Sequence, residues 1–83
     1  MYVFGSGGRL KFGVSRAPEA RAHGIALQGG IPVEVVAVRW FPTRAAALRV
    51  EARLHSQYRA HRIAGEWFAS DGCEGWQAEV APA

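Results

Sequence analysis

The stretch TRAAALRVEARLHSQYRAHR, from about Thr43 to Arg62, is the only segment long and periodic enough to form a substantial amphipathic helix. Pro42 lies just outside it and Thr43 is placed to cap it. At roughly 100° per residue, Ala47, Val50, Leu54 and Tyr58 share one face, and Glu51 falls on that face between Ala47 and Leu54. An isolated buried carboxylate costs several kcal/mol unless it is paired, protonated or bound to a cation. Glu51 must therefore meet an arginine, a metal ion, or water at the edge of whatever the helix packs against.

The rest of the chain supplies short elements for that helix to cover. Tyr2-Val3-Phe4 and Leu10-Lys11-Phe12-Gly13-Val14 read as strands, with Gly5-Ser6-Gly7-Gly8 as the loop of a hairpin. The glycine spacing there matches neither a dinucleotide nor a P-loop fingerprint. Ser15 and Pro18 open a first helix, with Glu19 near its positive end, and Gly29-Gly30 stops it after about Gln28. Pro32 to Trp40 is the strongest strand, β-branched and bounded by Pro32 and Pro42. After the long helix, Gly65-Glu66-Trp67-Phe68 reads as a turn into an apolar anchor, and Ser70 to Val80 as one short helix. The expected order is β-β-α-β-α with a weak final α: an α+β domain with a three-stranded antiparallel sheet flanked by helices.

At 83 residues the chain makes one small domain, so most of its large apolar side chains are needed for folding. Trp67 and Phe68 are expected in the core, and Trp40 there rather than as a base-stacking platform. Trp76 is expected to be a lid over the core or a partner contact. A single cysteine, Cys73, excludes an intrachain disulfide framework and points to a reducing, cytoplasmic setting. MYVFGSGG lacks the basic start and apolar run of a signal peptide, and Val35–Val38 is too short to span a membrane.

The net charge is +3, carried by nine arginines and Lys11. Arg44, Arg49, Arg53, Arg59 and Arg62 lie on or beside the long helix, while Arg9, Lys11, Arg16 and Arg21 cluster near the first hairpin. Such clustering suits an anionic partner, phosphate foremost; the alternative is a solvated basic surface.

In their order and spacing, these residues resemble the GIY-YIG nuclease domain, in the divergent phage and bacterial branch whose second motif reads Lys-Ile-Gly. Tyr2-Val3-Phe4 matches the end of the first motif, and Lys11-Phe12-Gly13 the second, with lysine in place of the usual tyrosine. Arg21 follows Gly13 by eight residues, where the family carries an arginine. Ala47 to His55 matches the helix bearing the family's glutamate, and Gly65-Glu66-Trp67-Phe68 the closing motif. The chain contains no asparagine, so the family's usual asparagine after that helix is absent.

The resemblance implies metal-dependent endonuclease chemistry on a nucleic-acid phosphodiester, DNA ahead of RNA, with Mg²⁺ or Mn²⁺ as cofactor. Glu51 would hold the metal, since Mg²⁺ commonly binds through one or two carboxylates and keeps several waters. Arg21 would place its fork on the phosphate. Tyr2 would orient or deprotonate the attacking water, with Lys11 activating the phenol or touching the phosphate, and His55 would assist. Arg9, Arg16, Arg44 and Arg53 would bind the nucleic-acid backbone. Specificity would come from a second copy or a separate protein.

Each residue also has a plainer reading. Glu51 can pair with Arg21 or Arg44, Tyr2 can be an edge-strand aromatic, and Lys11 can be a charge that protects a sheet edge. Arg21 can be solvated, and His55 can be a polar edge residue. A zinc site from His55, His61 and Cys73 matches no strong ligand spacing. The rival functions are a binding domain that has lost turnover and a protein-interaction module.

Overall fold

The computed structural model describes residues 1–80. Two glycines set the first hairpin. Gly7 and Gly8 have φ of 54° and 77°, the left-handed pair that a two-residue type I′ turn requires. Strands β1 (Tyr2–Ser6) and β2 (Arg9–Gly13) therefore pair from Ser6↔Arg9 to Tyr2↔Gly13. The loop is shorter than the sequence suggests: Gly5 and Ser6 belong to β1, and the Ser6 hydroxyl donates to the Pro32 carbonyl at 2.8 Å.

Helix α1 spans Pro18–Gly29, with proline in its first turn and Gly30 at φ 67° closing it. Strand β3 (Glu34–Val38) pairs antiparallel with the free side of β1. Helix α2 spans Arg44–Gln57, and the Thr43 side chain accepts from the Ala46 N–H at 3.1 Å, satisfying one of the unpaired donors at a helix start.

Three expectations fail beyond this point. The helix was expected to continue to Arg62, but it ends at Gln57 because Tyr58 is claimed by the core. The Tyr58 ring stacks on Phe12 at 5.8 Å and its hydroxyl donates to the Glu74 carbonyl. A 3₁₀ turn, Arg59–His61, then leads into β4 (Arg62–Ala64), which pairs with β5 (Trp67–Ala69) across a turn where Gly65 has φ 56°. Strand β5 extends the sheet beside β2, with Leu10 opposite Phe68 and Lys11 opposite Trp67. The sheet thus has five strands in the order β3-β1-β2-β5-β4, all antiparallel, where three were expected. Both added strands have only three residues, too few for a period of two to be read from the sequence, and β4 is exposed throughout. The expected single tail helix is also divided, into a 3₁₀ turn at Ser70–Gly72 and helix α3 at Gln77–Val80.

Alternation along the strands sends side chains to two faces. Val3, Phe12 and Phe68 meet Ala47, Val50, Leu54 and Tyr58 of α2, closed over by Cys73, Trp76 and Val80. Tyr2 and Phe4 point to the opposite face, with Ala22 and Ile25 of α1. Phe68 is the fully buried anchor that was expected, whereas Trp67 is half-buried. Trp76 is a lid, edge-on to Phe12 at 6.3 Å. Trp40 is not in the core: it lies beyond the end of β3 and is 66% exposed. No helix among the described residues is long and apolar enough to cross a membrane.

Candidate active site

Helix α2 presents Arg44, Leu48 and Glu51 along one stripe, because steps of four and three residues return to the same side of a helix. This stripe flanks the buried one, so Glu51 sits at the edge of the core, partly buried, rather than within it. Facing it are Tyr2 at the start of β1 and Arg16 and Arg21 around the start of α1. With Glu66 from the β4–β5 turn, Tyr2, Arg16, Arg21, Arg44 and Glu51 ring an open cleft of ≈ 410 Å³.

Gly13 has a particular reason to be glycine. It lies opposite Tyr2 in the β1–β2 ladder, and a Cβ there would fall on the Tyr2 hydroxyl. The Tyr2 ring, stacked on Phe4 at 3.8 Å, reaches the cleft only across that bare backbone. Burial pushes its phenol above the usual tyrosine value, while the Arg21 guanidinium pulls it back. The carboxylates of Glu66 and Glu51 push it up further. Tyr2 is therefore a neutral hydroxyl at pH 7.

Glu51 titrates above the ordinary carboxylate range, first because burial disfavours its charge and second because Glu66 is nearby; His55, Lys11 and Arg44 partly offset this. The ion pairs among the described residues are Lys11–Glu66 at 2.9 Å and Arg53–Glu79. Glu51 belongs to neither, so its pairing with Arg21 or Arg44 is not what the structure contains. Of the partners its burial called for, water and a cation remain.

The other candidates divide by position. Lys11 is buried and donates to Glu66 Oε2, so it meets the cleft only through that carboxylate. His55 Nε2 lies 2.8 Å from the Phe12 carbonyl; the carbonyl can only accept, so this nitrogen carries the proton. The bond ties α2 to β2 one turn beyond Glu51, and the ring lies edge-on to Phe68. Arg9 stands over Trp67 at 5.6 Å and Arg53 holds Glu79, both away from the cleft. No cluster of three or more His, Cys, Asp or Glu side chains occurs among the described residues, which leaves the imagined zinc site without a basis.

Comparisons with family models, curated proteins and solved structures found no match.

The chemistry of the cleft is therefore read from its own groups. It combines a half-buried carboxylate without an ion-pair partner among the described residues, a second carboxylate, a neutral phenol, and three guanidinium groups on the rim. Glu66 was missed as a site residue because it reads locally as a turn residue. The signal for it was indirect: a lysine on a strand that packs on both faces needs a counter-charge, and Glu66 supplies it.

Proposed function

We propose that the cleft is the active site of a metal-dependent endonuclease of GIY-YIG type, hydrolysing nucleic-acid phosphodiester bonds. One observation carries this reading. Tyr2, Arg21 and Glu51, distant in sequence, converge on one cleft in which the carboxylate has no ion-pair partner among the described residues. A purely structural salt bridge would have produced a paired Glu51.

The donor set fits a hard divalent cation. Glu51, with Glu66 beside it, offers carboxylate oxygens whose mutual repulsion and burial a cation would relieve, and one or two carboxylates suffice for Mg²⁺ or Mn²⁺. Such a cation supplies Lewis-acid stabilisation of charge developing on the phosphate oxygens.

The chain's own residues account for the remaining tasks. Arg21 offers a planar fork to two phosphate oxygens, and its value grows as negative charge accumulates there. Tyr2, held neutral by burial, orients the attacking water through its hydroxyl; with Lys11 occupied by Glu66, it is an orienter rather than a base. Arg16 and Arg44 hold the flanking phosphates, and His55 positions α2 through the Phe12 carbonyl. The reading places the protein with a nucleic-acid partner in a cytoplasmic setting, DNA ahead of RNA, and leaves sequence choice to a second copy or a guiding protein.

The test is cleavage of labelled single- and double-stranded DNA and RNA with Mg²⁺ or Mn²⁺ against EDTA. Cutting should require the metal and should fall by at least about 10²-fold in both Glu51→Gln and Arg21→Ala. Undiminished cutting by Glu51→Gln would sink the mechanism. Binding without cutting in any condition would favour a binding domain that has lost turnover.

A further inference from the structure

We propose that the hollow bearing Trp40, which adjoins the cleft, is a subsite for an unpaired nucleobase, whose adjoining phosphate is held by Arg16 and Arg44. The inference rests on the cleft being a nucleic-acid site and adds the class of substrate, a single strand or an extruded base.

The first observation is the exposure of Trp40 itself, the largest of the exposed apolar side chains at 66%. An indole left in water forgoes burial that a small domain needs. Its position is not a loose end. Arg39 on one side is fixed to the Met1 backbone, donating its N–H to the Met1 carbonyl at 2.9 Å and accepting from the Met1 amino group at 2.8 Å. On the other side Pro42 and the Thr43 cap begin α2. Phe41 next to it is partly buried against the core, with the Arg39 guanidinium 4.6 Å from its ring centre. Trp40 is thus a firmly mounted aromatic beside an aromatic that is already in use.

The second observation is adjacency. Trp40, Phe41 and Pro42 line a hollow of ≈ 250 Å³ that shares Val14, Ser15, Arg16 and Arg44 with the carboxylate cleft. Crossing from one to the other, the surface runs from aromatic to guanidinium to carboxylate. A nucleotide chain presents the complementary order: a flat base, then a phosphate, then the phosphate at the cation. Arg16 and Arg44 form no ion pair with any described residue, so both guanidiniums are available to an anion.

The third step is geometric. A base within a duplex has both faces covered by its neighbours, so it cannot lie flat on a protein side chain. Away from a duplex end, only a single strand, or a base turned out of a helix, can stack on Trp40. Stacking of this kind tolerates any base, because each has a π face.

Binding is measured in EDTA, without turnover, by anisotropy of a labelled oligo-dT strand and of a duplex of the same length. The single strand should bind more tightly and should quench tryptophan fluorescence. Trp40→Ala should weaken single-strand binding at least about fivefold and abolish most of the quenching, with a smaller effect on the duplex. Trp40→Tyr should restore most of the affinity, which a merely apolar role would not require, and Trp40→Leu should not. Unchanged affinity in Trp40→Ala, rescue by leucine as good as by tyrosine, an equal loss on duplex, or no binding by the unaltered protein would each overturn the proposal. The two readings separate cleanly. Loss of single-strand binding in Trp40→Ala, with no metal-dependent cutting in any condition, leaves the subsite standing and removes the hydrolase. Cutting that requires Glu51, with single-strand affinity indifferent to Trp40, does the reverse.

Discussion

Glu51 shows how one residue can oppose the fold that holds it. Its carboxyl titrates above the usual range because burial and Glu66 both disfavour the charge. An acid with a raised folded-state pKa binds its proton more tightly in the native than in the unfolded chain. Its contribution to stability is therefore greatest below the unfolded value and is lost as pH rises through the raised one. At pH 7 the ionised form costs stability, so Glu51→Gln should melt higher than the natural chain. The gain should be a few degrees at most, since the group is only partly buried and water screens it, and it should vanish as the pH falls below the carboxylate range. Mg²⁺ should raise the melting temperature of the natural chain and leave Glu51→Gln unmoved. Thermal melts across pH, with and without metal, check both statements; a variant less stable at neutral pH would mean the carboxylate is already satisfied. A higher melting temperature in the variant would match the stability–activity trade-off common at functional sites.

Among the elements, α2 governs the site, because its start determines where Arg44 and Glu51 point. Its first turn is held by the Thr43 hydroxyl accepting from Ala46, and its last by His55 on the Phe12 carbonyl. Removing the cap with Thr43→Ala should cost about 1 kcal/mol, or about 4–8 °C in a domain of this size, while Thr43→Ser should be nearly neutral. Denaturant unfolding of the two variants measures this. A loss in the serine variant equal to that in alanine would show that the Thr43 methyl, and not its hydrogen bond, matters. Strands β4 and β5 behave differently. Neither would persist alone, and they exist because β2 offers an edge on which Phe68 can be buried.

At the scale of the molecule, the sheet divides the apolar side chains into two clusters, and Phe68 joins β5 to the larger one beneath α2. Phe68 is fully buried and packs near Phe12 and His55. Phe68→Ala should cost about 3–5 kcal/mol, against a total of roughly 4–12 kcal/mol for a chain of this length. The expected outcome is a strongly lowered or absent cooperative transition in circular-dichroism melts. A loss under about 1 kcal/mol would show that β5 is an appendage rather than part of the core. The C-terminal turn closes the same cluster through Trp76 and Val80, held from outside by Arg39 on the Glu79 carbonyl and Arg53 on the Glu79 carboxylate.

What was legible in the chain alone was whatever neighbours in sequence decide. The glycine pair Gly7-Gly8 permits the hairpin turn, Pro18 and Gly30 bound α1, and Thr43 opens α2 with its Ala47–Val50–Leu54 stripe. These rest on backbone preference and periodicity, which act within a few residues. What only the tertiary structure decided depends on distant pairings. Short strands β4 and β5 carry no local pattern and form only against a sheet edge. Trp40 looked like core because its side chain is apolar, yet among the described residues no element covers it. Arg9 and Arg53 looked like part of a basic face, yet they engage Trp67 and Glu79. Glu51 could be recognised in sequence as a residue in need of a partner. That Tyr2, Arg21 and Glu66 share its cleft, while no ion pair among the described residues satisfies it, follows from long-range packing that no local pattern encodes.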